Sequence, residues 1–296
     1  DCGTQSLRAM ILSPAGELLA REQVCYPPSH SPRPGWNEKE AADYWEALKQ
    51  ALWGLREHTP DEFRSLEAMG ITTIRDTVLC LDRDGNPLRP AILWMDQRKA
   101  DPVYTPGFLQ RFGARLVGMD EAVERIQLEG KGNWLRQNEP ELWGRTRTFA
   151  LLSTWLNLKL TGELLDSSAS QIGHIPFNYR KRRWSRRGEL TARLFPVEPA
   201  KLAPVVEPGS LLGRVTRQAA AETGLPEGLP VIACGSDKGC ETLGAGVLDL
   251  SQAALSFGTT ATIQSTSQRY FEPISYMPAY PSPVRGHYNP SVEIFR

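Results

Sequence analysis

Apolar positions along the first sixty residues change their period twice. Residues 7–12 form a short apolar run, Pro14-Ala15-Gly16 supply turn chemistry, and 17–26 read as a second strand, so the chain is expected to open as strand, turn, strand. Four prolines between 27 and 34 leave no core pattern and mark an extended connector. Trp45, Leu48, Leu52 and Leu55 then recur at helical spacing, and Asn37 with Glu40 reads as a capping box ahead of a helix running to about His58. Short apolar stretches at 68–73, 77–81 and 91–94, split by turn residues such as Asp84-Gly85-Asn86-Pro87, predict neighbouring strands. Beyond them the period is helical: around Trp134-Leu135, over 149–158 with Gly162 as the stop, and over 217–223 with Gly224 as the stop. Strands at 231–234 and 253–257 flank Gly244-Ala245-Gly246. Strands and helices alternating in groups argue an α/β architecture.

Composition narrows the class. A chain of 296 residues, 41% hydrophobic and 23% charged, can bury the core of one large domain or two ordinary ones. Its 34 basic residues balance 34 acidic ones, so the net field gives no reason to expect a polyanionic partner or an anionic membrane surface. No apolar run approaches the roughly 18 residues of a membrane span, and the start lacks a basic region followed by an apolar one, so the expected location is the cytoplasm. Cys2, Cys25, Cys80, Cys234 and Cys240 include no C-x-x-C pair and read as reduced thiols. His30, His58, His174 and His287 stand apart without metal-ligand spacing and are assigned surface or loop roles. The basic run from Arg180 to Arg187 is read as a solvated loop, since the balanced charge and the lack of a recognition motif argue against nucleic acid. The chain opens at Asp1 inside turn chemistry and stops at Arg296 after an aromatic, Pro-rich stretch, which reads as a fragment.

Three segments end a strand with a small residue where backbone can approach a phosphate. In Asp1-Cys2-Gly3-Thr4-Gln5-Ser6-Leu7-Arg8, Gly3 permits a tight turn, Thr4 and Gln5 can donate to phosphate oxygens, Arg8 brings a permanent positive charge and Asp1 offers a Mg²⁺ ligand. A plain β-turn would use the same residues. Ser256-Phe257-Gly258-Thr259-Thr260 echoes that turn downstream, although Gly-Thr-Thr after a strand is also ordinary hairpin chemistry. Gly235-Ser236-Asp237-Lys238-Gly239 sets a carboxylate at a strand end between two glycines, fit for a general base or for capping a helix.

The order and wording of these segments resemble the FGGY carbohydrate kinases, within the superfamily of actin, heat-shock chaperones and sugar kinases. The resemblance runs through nearly the whole chain: D-C-G-T at 1–4, P-G-W-N-E at 34–38, G-I-T-T-I-R-D-T at 70–77, the stretch from 82 ending in W-M-D-Q-R at 94–98, L-T-G-E at 160–163, D-S-S-A-S at 166–170, the run from Gly224 to Lys238, and F-G-T-T at 257–260. Each motif is unspecific alone; their order is specific. The resemblance implies ribonuclease-H-like lobes of the actin and hexokinase type, a mixed sheet flanked by helices, with a first lobe at 1–248 and an incomplete second lobe at 249–296. It implies ATP-dependent phosphorylation of a sugar or polyol hydroxyl, with ATP and Mg²⁺ as cofactors. Asp237 is then the general base, Asp1 the metal-associated carboxylate, and Thr4, Gln5 and Arg8 lie near the β- and γ-phosphates. Gly258, Thr259 and Thr260 form the second phosphate turn. Arg75 and Asp76 resemble the Arg-acid pair that holds substrate hydroxyls, leaning toward the glycerol-like branch, and Trp94 and Asp96 belong to the family's W-x-D-x-R, with Trp94 placed to pack on a sugar face. The expected partners are a small-molecule sugar or polyol, with a homodimer left open and no nucleic acid or membrane. The competing reading is a non-catalytic nucleotide- or sugar-binding relative.

Overall fold

The structure, a computed structural model, describes residues 1–105, 125–257, 260–274 and 277–295. Strand β1 (Ser6–Leu12) pairs antiparallel with β2 (Leu18–Cys25). It buries Leu7, Ala9 and Ile11 while Met10 and Leu12 face out, the period of a half-covered strand. Its cover is helix α1 (Ala41–His58), whose Tyr44, Trp45, Leu48, Ala51, Leu52 and Leu55 form one apolar stripe. The expected capping box is absent: Glu40 is the N-cap without a side-chain bond, and Glu38 and Lys39, just after Asn37, are drawn into a sheet instead. Sheet pairing outcompetes the cap there because Asn37 also bonds the 93–96 loop through both its N–H and its C=O.

That sheet orders its strands β3 (Glu38–Lys39), β5 (Ala91–Ile92), β4 (Val78–Leu81) and β6 (Thr148–Leu151), all antiparallel. All of β4 is buried, so its Val-Leu-Cys-Leu reads as a continuous apolar run rather than an alternation. Leu79 and Leu81 join the core under α1, and Val78 and Cys80 join a second core with Trp134, Trp143, Phe149 and Phe177. The helix expected over 149–158 is therefore a strand followed by a helix. Phe149 and Ala150 pair with Cys80 and Leu79, and Leu152–Thr161 is the helix, ending at the left-handed Gly162. An unbroken apolar run does not reveal where a buried strand gives way to a buried helix.

A third sheet is mixed: Leu211–Arg214 runs antiparallel to Pro230–Ile232, which lies parallel to Met69–Gly70. Downstream, Ala254–Phe257, Thr260–Gln264 and Ser291–Phe295 form an antiparallel sheet. Among the described residues no helix is long and apolar enough to cross a membrane. The basic run is not simply solvated: Arg182 pairs with Glu207 at 3.3 Å and lies over Tyr288, and Arg183 pairs with Glu189 at 2.9 Å.

A buried ion cluster closes the second core. Arg98, with a side chain 1% exposed, donates to Asp96 at 2.7 Å and Glu38 at 2.7 Å and sits 4.0 Å and 4.6 Å from the rings of Trp36 and Trp134. Arg89 adds a bond to Glu38 and another to Glu139 at 2.9 Å. Removing one partner strands the others in low dielectric, so Arg98→Met is expected to destabilise the fold by about 3–5 kcal/mol. Urea unfolding would register this as a lower midpoint at unchanged slope. A loss under about 1 kcal/mol would mean the cluster is hydrated in solution.

Candidate active site

Three distant segments meet through their backbones. Cys2 donates to Thr72 O at 2.8 Å and accepts from Ile74 N at 3.0 Å, and Thr73 O accepts from Asp237 N at 3.1 Å. Thr72 Oγ1 also donates to Gly235 O at 2.9 Å, and Ser236 N donates to Ala169 O at 3.1 Å. Asp237 is the first residue of a helix, Asp237–Gly244, and lies inside the helix head rather than at its cap; Ser236 Oγ is the cap, accepting from Gly239 N at 3.4 Å. The short polar lead-in Gly-Ser-Asp-Lys-Gly carries no apolar period to announce a helix.

Arg75 Nε lies 3.7 Å from Asp237 Oδ1, with side chains 15% and 20% exposed. Burial pushes the Asp237 carboxyl above its ordinary range, while Arg75 and the Lys238 amide pull the other way. The neighbouring acid behaves oppositely. Asp76 adopts a left-handed φ of 50°, a conformation that Asp tolerates better than most residues. Its Oδ2 accepts from Lys131 Nζ at 2.5 Å and meets His174 Nδ1 at 2.8 Å, and its Oδ1 accepts from His174 N at 3.1 Å. Burial raises this carboxyl too, but Lys131 and His174 outweigh burial and hold it well below the usual carboxylate range. Arg75 thus faces Asp237 and Asp76 faces Lys131 and His174. A side chain on Gly173 would reach within 2.5 Å of Asp76 Oδ1, so the carboxylate occupies the space this glycine leaves.

The first turn lies alongside. Trp94, 41% exposed, donates from Nε1 to Thr4 Oγ1 at 3.0 Å. Asp1 and Arg8 pair at 3.1 Å with side chains 24% and 42% exposed, and Gln5 is exposed. Asp96 is different: its side chain is fully enclosed, and its oxygens hold Arg98 and the Asn37 amide, a scaffold position under the Trp94 loop. Gly258 and Thr259 lie outside the described residues, and Thr260 begins the strand Thr260–Gln264. Among the described residues no group of three or more His, Cys, Asp or Glu side chains is arranged to hold a metal. Recesses of about 470 Å³ beside Trp53 and Phe63 and about 560 Å³ beside Arg83 and Arg147 hold none of these side chains. Lys131 and His174 were missed by motif reading: they lie 55 and 98 residues from Asp76 along the chain, and a lone Lys or His carries no spacing signal.

Residues 1–244 match the N-terminal domain of the FGGY family of carbohydrate kinases. The chain belongs to that family. This FGGY chain is 28% identical over 270 residues to the xylulose kinase of Lactococcus lactis, covering 90% of itself and 52% of that relative. It superposes on the xylulose kinase of Rhodospirillum rubrum with a TM-score of 0.81 at 24% identity, covering 99% of itself and 60% of that chain. With the gluconate kinase of Lactobacillus acidophilus the TM-score is 0.79 at 17% identity, covering 98% and 58%. The FGGY chain spans about half the length of the curated relatives it matches, and its fold is the actin and hexokinase type of mixed sheets flanked by helices.

The depressed Asp76 gives a pH signature. Its contribution to stability is complete above the unfolded-state pKa of about 3.9 and is lost as pH falls toward the lower folded-state value. Asp76→Asn is therefore expected to cost stability at pH 7, with the gap to wild type closing below about pH 4. Denaturant midpoints measured across that range would test this; a gap that does not change with pH would show that Asp76 is not held as the anion.

Proposed function

We propose that this chain supplies the sugar-binding and base-carrying part of an ATP-dependent carbohydrate kinase, with Asp237 as general base. The observation that carries this reading is the Asp237 environment: a largely buried carboxyl at a helix head, raised by burial yet faced by Arg75. A base works best when its proton affinity approaches the operating pH, and burial moves a carboxyl in that direction. Asp237 would accept the proton of the acceptor hydroxyl as that oxygen attacks the γ-phosphorus. Arg75 would hold the carboxylate in line and limit the rise in its proton affinity.

Phosphoryl transfer asks the protein mainly for positioning and charge neutralisation. Thr4, Gln5 and Arg8 are assigned to the phosphates of ATP, together with Gly258, Thr259 and Thr260. Mg²⁺ carried by ATP takes most of its ligands from phosphate oxygens and water and needs only one or two carboxylates, so it asks for no acidic cluster, and none occurs among the described residues. Asp1, partly exposed and held by the single charge of Arg8, fits as that carboxylate. When bound, the ion would neutralise charge on the transferring phosphoryl group. Trp94, exposed and tied to Thr4, is assigned to the sugar face; Asp96 is assigned to holding its loop. Lobes divided near 248 would close over the substrates and exclude water.

A ketopentose such as xylulose is the first acceptor to test, given the names of the relatives, with ribulose, glycerol and gluconate beside it. The complete gene product with Mg-ATP is expected to release ADP only when a suitable sugar is present. Asp237→Asn should lower kcat by about 10²–10⁴-fold with an unchanged melting curve. Full turnover in that variant would remove Asp237 from the role, and a flat sugar panel from folded protein would favour a non-catalytic binding module.

A further inference from the structure

Tyr280 lies outside every motif quoted above, yet it packs against Arg75. The Arg75 guanidinium sits over its ring, 5.2 Å from the centroid, while Arg75 Nε faces Asp237 Oδ1 at 3.7 Å. The same ring meets Tyr179 edge-on at 5.1 Å. Tyr179 is fixed in turn, donating through its hydroxyl to Gly173 O at 2.9 Å and accepting from Gly173 N at 3.2 Å. Gly173 is the residue whose missing side chain makes room for Asp76.

The segment bearing Tyr280 is anchored independently of Arg75. Tyr280–Pro281 pairs with Tyr288–Asn289, and Tyr288 donates to Arg180 O at 2.7 Å beneath the Arg182 guanidinium. Pro283 packs on Gly235 and Gly239, on either side of Asp237, so closely that an added Cβ would come within 3.2 Å and 3.0 Å of its carbons. The 280–283 stretch therefore touches Arg75 through Tyr280 and, through Pro283, the two glycines that flank Asp237.

We infer that Tyr280 is a positioning residue for phosphoryl transfer: its ring face seats Arg75, and Arg75 holds Asp237 in line with the acceptor. The inference rests on the kinase reading above. An aromatic face attracts a guanidinium through its quadrupole, most strongly when both are shielded from water, and it restricts the plane in which the cation lies. A phenyl ring would serve as well as a phenol; an aliphatic side chain would not. Placement of a catalytic group steeply controls rate, because small errors of position are costly.

The test compares Tyr280→Leu and Tyr280→Phe in the complete gene product, measuring sugar-dependent ADP release. Tyr280→Leu is expected to lower kcat about tenfold with little change in the KM for ATP, and Tyr280→Phe to retain wild-type rates. On an Arg75→Met background the Leu substitution should have no further effect, because its action passes through Arg75. If Tyr280→Leu does not fold, Tyr280→Met fills similar volume without a ring face and takes its place. An active wild type with an unimpaired Leu variant overturns this inference alone. So does a Phe variant as slow as Leu, which would show that the hydroxyl matters and not the ring face. A folded wild type that releases no ADP with any sugar sinks the kinase reading and this inference together.

Discussion

The backbone of residues 72–74 is bonded on both sides, to Cys2 at one edge and to Asp237 at the other, and that ladder brings the first turn, Arg75 and Asp237 together. Peptide groups at this depth must find partners, since an unpaired one costs roughly 1–3 kcal/mol. The bonds are therefore obligatory, and they tie together segments distant in sequence. Once they form, the remaining placements follow. Arg75 and Asp76 leave the ladder toward different partners, the Cys2 bridge carries Thr4 to Trp94, and the helix Asp237–Gly244 starts where its first carboxylate meets Arg75.

Two carboxylates sharing this neighbourhood are driven apart in proton affinity. Both are desolvated, and desolvation alone would raise both. Asp76 receives Lys131, His174 and a backbone amide, which overwhelm the burial and fix it as an anion. Asp237 faces Arg75 at a longer distance and so stays on the raised side. Environments that separate paired acids in this way commonly mark a division of labour. Here the separation suits a proton acceptor at Asp237 and a fixed anion at Asp76, which orders the 173–174 turn and the 131 helix start around it.

The sequence made the periodic elements legible: the β1–β2 hairpin, the apolar stripe of α1 and the helix stops at Gly162 and Gly224 all carry local signals. The helix after Asp237 and the strand at Thr148–Leu151 were hidden for opposite reasons, one too polar to show a period and one too uniformly apolar. At the site, Gly-Ser-Asp-Lys could be singled out because strand-end turns use recognisable residues, and Arg75-Asp76 through the family resemblance. Their pairing could not. The family resemblance implies that Arg75 and Asp76 act as a pair, but a left-handed φ at Asp76 turns its side chain toward Lys131 and His174. Tyr280 illustrates the same limit, since no local pattern links it to Arg75.

In the W-x-D-x-R stretch, buried charge orders a loop that carries an exposed aromatic side chain. Apolar residues of equal volume would often stabilise the core as well as the Glu38, Asp96 and Arg98 cluster does, so stability alone is a weak account of it. What the ions add is direction. Asp96 grips Arg98 through both oxygens and receives the Asn37 amide, while Leu93 N bonds Asn37 O at 3.0 Å and Gln97 N bonds Gly35 O at 2.8 Å. The loop between them has little freedom left, and it is this loop that holds Trp94 out toward solvent with its indole N–H on Thr4. An exposed aromatic ring held in one orientation loses little entropy when something flat packs on it, and that is the property a sugar-stacking residue needs.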